Sequence, residues 1–293
     1  METWVLLSIV GAVLQNLRAA LQKSLTADLS VLGAAYIRFV FALPFAWAFV
    51  LWLLPDVELN LRFFGFALLG GLGQIAGTIW LLAAFTTRNF AVATALSKTE
   101  TIQTVILSVV VLGELVNGLG FAGIVVSLIG VVLLNPVGRL RDQRIDRGFV
   151  NGLLSGFGLA VAAVCYRGAA LSLPELEFYE QAACTLACAL TMQTLVFGLY
   201  LALRDRGALG AALGSWRQSI WVGLSGALAS ACWFSAMALV NASYVRALGQ
   251  IELVLSFAVS ILWFKERPGR AEIWGVVVLT AGIVVVLVSR GAR

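Results

Sequence analysis

The sequence predicts an all-α integral membrane protein, on the strength of its composition, the length of its apolar runs and an internal duplication. Of 293 residues, 61% are hydrophobic and only 12% are charged, whereas a soluble domain carries about 25% charged residues. Such a composition cannot cover a surface that faces water. We therefore expect lipid to be the main solvent of this chain, and no sizeable aqueous domain.

Apolar runs that are long enough to cross a bilayer recur along the whole chain. A helix needs about 20 residues to span the hydrocarbon core, and only helices or closed barrels satisfy the backbone there. The runs are too long and too continuous for barrel strands. Ten transmembrane helices are predicted, near residues 3–25, 30–54, 62–86, 90–113, 117–135, 148–170, 176–203, 216–239, 242–264 and 270–289.

The two halves of the chain match when the first is shifted by 152 positions. The shift places Glu100 on Glu252 and Gly123 on Gly275. We assign residues 1–138 to a first repeat, 139–147 to a charged linker and 148–293 to a second repeat. Because five spans is an odd number, the second repeat enters the membrane from the opposite side. Two inverted five-helix repeats are typical of secondary transporters, whose site lies near the midplane between the halves.

The distribution of Lys and Arg predicts the orientation. The breaks after the odd-numbered spans hold twelve of these residues, and the opposite side holds four, Arg167 among them. Basic loops stay in the cytoplasm, so we expect a multi-pass protein of the inner (plasma) membrane with both termini outside.

Ionisable side chains within the spans mark the candidate site, because they are costly in lipid and usually functional. On the first span, Ser8, Gly11, Gln15 and Arg18 share one helix face, which predicts either a cavity lining or a polar helix contact. Six ionisable residues lie well inside the predicted spans: Arg18, Arg38, Lys98, Glu100, Arg246 and Glu252.

The fourth and ninth spans contribute basic groups to matching faces. If both are continuous helices, Lys98 and Glu100 point nearly opposite ways and Arg246 shares a face with Gln250. Two basic groups would then approach the pseudo-symmetry axis, which suits a carboxylate, phosphate or phosphonate. The predicted substrate-binding residues are Gln15, Arg18, Trp80, Lys98, Thr101, Arg246 and Gln250.

Glu100 and Glu252 form a second symmetric pair with two interpretations. In the first interpretation they carry a coupling proton, since the chain has no histidine. In the second, each is neutralised by a structural partner such as Arg38 or Arg18. The sequence shows no catalytic constellation, nucleotide-binding loop or histidine-based metal pattern. We therefore expect no enzymatic activity, no cofactor and no metal site.

Three stretches carry a resemblance to a known family. They read "YIRFVFALPF", "LGELVNGLGFAGIVVSLIGVVLL" and "FKERPGRAEIWGVVVLTAGIVVVL", and together they resemble the EamA family of the drug/metabolite transporter superfamily. The resemblance implies a ten-helix bundle of inverted repeats that moves metabolites, often outward, by alternating access. Gln15-Asn16 replaces the Trp-Gly often found in the first span of that family. The first cytoplasmic loop of such proteins is usually basic, whereas the segment "PDVELNLR" is not.

These observations predict a secondary transporter that exports a small polar metabolite, anionic or zwitterionic, with the lipid bilayer and a coupling proton as its other partners. One alternative is a multidrug or amino-acid exporter whose cavity is walled by Trp80, Trp233 and Tyr244. Another is a lipid flippase or membrane-embedded enzyme. Nucleic acid is not an expected partner, and either a monomer or a homodimer suffices.

Overall fold

A computed structural model describes residues 2–25, 29–56, 58–87, 90–134, 147–262 and 269–291. Within these ranges all regular structure is helical, which confirms the predicted fold class. A π-helical turn follows α6 at Ser108–Leu112. The α-helices are α1 (Thr3–Leu25), α2 (Val31–Val40), α3 (Leu43–Leu53), α4 (Leu61–Thr87), α5 (Phe90–Ser97), α6 (Glu100–Leu107), α7 (Gly118–Leu134), α8 (Arg147–Leu171), α9 (Phe178–Arg204), α10 (Arg206–Gly214), α11 (Trp216–Leu239), α12 (Ala242–Gly249), α13 (Ile251–Leu262) and α14 (Arg270–Gly291).

Eight segments of the described chain are long and apolar enough to cross a membrane. The predicted fifth span corresponds to α7, a shorter apolar helix, and the ninth is divided between α12 and α13. The second and fourth spans are also built from pieces, α2 with α3 and α5 with α6. The ten predicted spans therefore match the helices in place, but three of them are interrupted.

Polar residues begin several helices at the predicted breaks. The Ser30 hydroxyl accepts a hydrogen bond from the Gly33 amide at 3.2 Å at the start of α2. The Asp205 carboxylate accepts one from the Ala208 amide at 2.9 Å at the start of α10. Such caps satisfy amides that the first turn of a helix leaves without a partner.

The chain divides into two compact units, and each takes residues from both predicted repeats. The first unit is Met1–Ile75 with Cys165–Val240, and the second is Ala76–Val164 with Asn241–Arg293. In the first unit α1 packs on α11, α3 on α9 and α2 on α10. The boundaries of compact packing therefore differ from those of the sequence repeats. The predicted linker, apart from its last residue, lies outside the described residues.

In the second unit the main contact joins α7 to α14, which the 152-residue shift relates to each other. A Cβ placed on Gly123 would lie 2.8 Å from the Val286 amide nitrogen, and one on Gly275 would lie 2.5 Å from that of Leu134. The start of α7 thus faces the end of α14, so the two equivalent helices run antiparallel. This confirms the inverted repeat, and the glycines permit the close approach of the backbones.

Candidate functional site

The repeat-equivalent fourth and ninth spans are broken at the same register. Between α5 and α6 the Thr101 amide donates to the Lys98 carbonyl at 3.3 Å, and between α12 and α13 the Leu253 amide donates to the Gln250 carbonyl at 3.0 Å. Both are the tight three-residue bonds of a 3₁₀ turn, and the 152-residue shift carries one onto the other. The regular helical hydrogen bonding of both spans is therefore interrupted at this register, and the facing directions expected for continuous helices stay a prediction.

Four charged residues stand at these two breaks. Glu100 is the first residue of α6 and Glu252 lies in the first turn of α13. Arg246 lies in the last turn of α12, and Lys98 follows the last residue of α5. Carboxylates at helix N-termini and cations at C-termini complement the helix dipoles. The breaks therefore help to stabilise the four charges inside the predicted spans.

The four charges form two ion pairs that cross between the repeats. Lys98 Nζ is hydrogen-bonded to Glu252 Oε1, and Arg246 Nη1 lies 3.9 Å from Glu100 Oε1. Each pair joins one residue of the first repeat to one of the second. The two basic groups are therefore not a purely cationic site, because each stands beside a carboxylate.

This arrangement identifies the partner of Glu100. Sequence reasoning suggested Arg38 or Arg18, but the described structure pairs Glu100 with Arg246. A helical wheel places residues on faces of one helix and contains no information about which neighbouring helix supplies the partner.

The site has both filled and unfilled hydrogen-bonding groups. Gln250 Nε2 donates to Thr101 Oγ1 at 2.7 Å, and both residues are buried. Among the described residues, Glu100 Oε2, Arg246 Nε and Gln250 Oε1 are buried without a hydrogen-bond partner. Buried polar groups normally have partners, so one donor and two acceptors of this cluster are unusual in lacking one. The Arg246 side chain keeps 18% of its surface exposed.

Helix α8 braces the break between α5 and α6. A Cβ on Gly156 would lie 2.9 Å from the Ser97 carbonyl oxygen, and one on Gly152 would lie 2.7 Å from Leu96. Gly152 and Gly156 therefore permit the close packing of α8 against this part of the chain. The break is therefore fixed by tertiary packing around it.

Three other predicted site residues are described by their surroundings within the first unit. Gln15, Arg18 and Arg38 belong to the first unit, where all three are half-buried. The Arg18 side chain lies 3.1 Å from where a Cβ on Gly226 would stand. The Arg38 guanidinium carbon lies 5.3 Å from the centre of the Phe39 ring. Their role in substrate binding stays a prediction.

The polar face of α1 makes a helix contact along part of its length. A Cβ on Gly11 would lie 3.2 Å from the Trp233 ring on α11. Ser8 is fully buried, and its hydroxyl donates to the Trp4 carbonyl at 2.7 Å. At these positions the structure supports the packing interpretation of the polar face over the cavity lining.

The aromatic residues of the alternative cavity are used mainly in packing. Trp233 stands against α1, and the Tyr244 hydroxyl accepts a hydrogen bond from the Asn117 amide at 3.3 Å. Trp80 is half-buried on α4 in the second unit, and its role stays a prediction. These contacts give an aromatic-walled cavity no specific support.

A buried polar cluster in the first unit was missed by sequence reasoning. The Tyr166 hydroxyl donates to Gln74 Oε1 at 3.0 Å, and Gln193 Nε2 donates to the same oxygen at 2.7 Å. The Tyr166 ring packs on Phe234 with centroids 4.3 Å apart. Two glutamines within apolar runs were the available signal. Amides hold membrane helices together, which is the role that these contacts support.

Arg167 was counted with the loop charges, but it is buried within α8. Its Nη1 donates to the carbonyls of Met237 and Ala238, each at 2.7 Å. These carbonyls lie at the end of α11, where a helix leaves acceptors without internal partners. Arg167 therefore caps α11. Without Arg167, the breaks after the odd-numbered spans still hold more Lys and Arg than the opposite side.

The fold and the site together define a class of protein. Inverted repeats that place charged groups at breaks of equivalent helices are the architecture of secondary transporters. The EamA-like transporter family model matches residues 2–135 and 146–288, so the chain belongs to the EamA-like transporter family. It is thus a multi-pass membrane transporter of the drug/metabolite type, and members of this family are transporters rather than enzymes.

One solved structure, described only as "Crystal structure of protein", is similar to this chain. Its TM-score is 0.73 at 17% sequence identity, and the alignment covers 99% of each chain. At this identity the likeness shows the fold alone. No curated protein matches the chain.

Proposed function

We propose that the protein is an alternating-access secondary transporter that exports a small polar metabolite, anionic or zwitterionic, across the inner (plasma) membrane. The observation that carries this proposal is the pair of crossed ion pairs at the helix breaks. Two cations and two carboxylates sum to zero charge, so a ligand with both signs of charge leaves the site balanced. Within the proposed class, this balance favours a zwitterion over a simple anion.

The unfilled atoms suggest how such a ligand is held. Arg246 Nε would donate to the ligand's carboxylate, and Glu100 Oε2 would accept from its ammonium group. Hydrogen bonds with a charged donor or acceptor are about twice as strong as neutral ones. The ligand would replace the long contact between Arg246 and Glu100, so neither buried charge would lose its compensation.

The two ion pairs suggest that Glu100 and Glu252 differ in their suitability as carriers of a coupling proton. Protonation of Glu252 would remove the hydrogen-bonded partner of Lys98, which leaves a buried cation without compensation. Glu100 has the longer pair and an oxygen with no hydrogen-bond partner among the described residues. Glu100 is therefore the better candidate for carrying a coupling proton.

Transport into proteoliposomes tests the proposal with matched zwitterionic, anionic and cationic solutes. Arg246→Gln should abolish transport of the preferred solute and its thermal stabilisation of the protein. Arg147 is exposed at the start of α8, so Arg147→Gln serves as the control and should transport normally. Full transport by Arg246→Gln and by Lys98→Ala would contradict the proposed site.

Proton coupling has a separate test. Glu100→Gln should lose transport driven by a pH gradient, and whatever solute exchange between equal pools it retains should be independent of pH, because Gln cannot take up a proton. Gradient-driven transport that survives in Glu100→Gln would assign the proton elsewhere.

A further inference from the structure

A surface cleft lies at one end of the first unit, beside the short helix α10. At nine residues, α10 is too short to cross a bilayer, and it joins the end of α9 to the start of α11. The cleft encloses about 540 Å³. Its lining residues are Leu29, Ala211, Gly214, Ser215, Trp216, Arg217 and Gln218.

The neighbouring surface places this cleft at the boundary between acyl chains and headgroups. Leu199 and Leu203, in the last turns of α9, are 61% and 72% exposed, so lipid covers them in a membrane. Arg204 and Arg206 follow at once and are exposed. Trp216, which is 54% exposed at the cleft, has the amphipathic ring that is enriched at membrane interfaces.

The cleft lining contains one arginine, and two more lie on the same connection between α9 and α11. Arg204, Arg206 and Arg217 are all exposed, while Asp205 uses its carboxylate to cap α10. The Arg217 guanidinium carbon lies 5.5 Å from the centre of the Trp216 ring. Stacking on an aromatic face leaves the edge of a guanidinium free to donate hydrogen bonds.

The position of the cleft along the chain also indicates its side of the membrane. Leu29 comes from the break after the first predicted span, and the other lining residues come from the break after the seventh and the first residues of α11. Both breaks were assigned to the side rich in Lys and Arg, and the structure brings them together in one cleft. Cytoplasmic leaflets carry the anionic lipids that attract such basic segments.

We propose that this cleft binds the headgroup of an anionic phospholipid of the surrounding bilayer. Arg217 donates to the phosphate, since a guanidinium matches the geometry of two phosphate oxygens. The Gln218 amide is the second donor in the lining. Trp216 lies beside the glycerol and the first carbons of the acyl chains, and Arg204 and Arg206 add positive charge on the same connection between α9 and α11.

Native mass spectrometry of the delipidated protein in neutral detergent tests this site. Phosphatidylglycerol and phosphatidylcholine with identical acyl chains are added in equal amounts. Phosphatidylglycerol should bind at least about tenfold more tightly, since each basic residue near a membrane surface contributes about fivefold. Equal retention of the two lipids would overturn the proposal.

The matched control is another exposed arginine that stacks on an aromatic ring. The Arg62 guanidinium carbon lies 5.7 Å from the centre of the Phe66 ring, outside the cleft. Arg217→Gln should weaken phosphatidylglycerol binding about fivefold and leave phosphatidylcholine binding unchanged, while Arg62→Gln should change neither. Equal loss in the two variants would show diffuse charge attraction and overturn the site.

Two further arms complete the design. If Arg217→Gln does not elute as a folded protein, Arg206→Gln replaces it and should also weaken phosphatidylglycerol binding. Inorganic phosphate should not displace the lipid, because the free ion lacks acyl chains. Displacement by phosphate would assign the cleft to a soluble anion and overturn the lipid proposal.

Discussion

The ion pair between Lys98 and Glu252 makes a quantitative prediction about stability. Both side chains are largely buried, with 16% and 12% of their surface exposed. Removing one partner of a buried pair leaves a charge without compensation and costs about 3–5 kcal/mol. Lys98→Met should therefore lower the free energy of unfolding by about 3 kcal/mol. This is the lower end of that range, because neither side chain is completely buried.

The double variant separates this effect from a simple loss of packing. Adding Glu252→Gln to Lys98→Met removes the carboxylate that has lost Lys98, so most of the lost stability should return. The remaining cost should be about 1 kcal/mol, which is typical of one hydrogen bond. The assay is reversible unfolding by SDS in mixed micelles, run as a full double-mutant cycle.

An additive cycle would refute the reasoning, because additivity means that the two residues do not interact. A coupling of a few tenths of a kcal/mol would place the pair with exposed salt bridges. In that case the crossed pairs could not be the feature that holds the two broken spans together.

Two further predictions concern packing and capping. A Cβ on Gly130 would collide with the backbone of Leu279, so Gly130→Ala should lower the unfolding free energy by about 1–3 kcal/mol. Gly65 has open space around it, so Gly65→Ala in the same assay should be neutral or stabilising by up to about 1 kcal/mol. Arg167→Met leaves two carbonyls at the end of α11 without this donor, at a cost of about 1–3 kcal/mol each. Arg167→Lys should recover part of that loss, and equal stability of the two variants would contradict the capping role.

Much of the fold could be predicted because lipid simplifies the problem. Long apolar runs in an environment without water leave the helix as the economical way to satisfy the backbone. The duplication was also readable, since Glu100 and Glu252 keep one register across the halves. An odd number of spans per repeat then dictated the antiparallel arrangement that α7 and α14 display.

The candidate site could be predicted only in part. The rarity of charges within the spans singled out Lys98, Glu100, Arg246 and Glu252, which the structure joins in two ion pairs, and their functional roles stay predictions. Their pairing was missed, because no proline marks the breaks between α5 and α6 and between α12 and α13, and the sequence does not say which helices are neighbours. The role of Arg167 was missed because it stands near the end of a predicted span and was counted as a loop charge.

Sequence information alone established the lipid environment, the helical class, the inverted duplication and the few residues that violate the apolar rule. Those properties follow from the composition and from the odd number of spans in each repeat, neither of which depends on which helices are neighbours. The pairing of Lys98 with Glu252 and of Arg246 with Glu100 became visible in the folded structure. The pairing depends on which helices are neighbours and on where each helix is interrupted. Both depend on close packing against residues that are distant in the chain, such as Gly156.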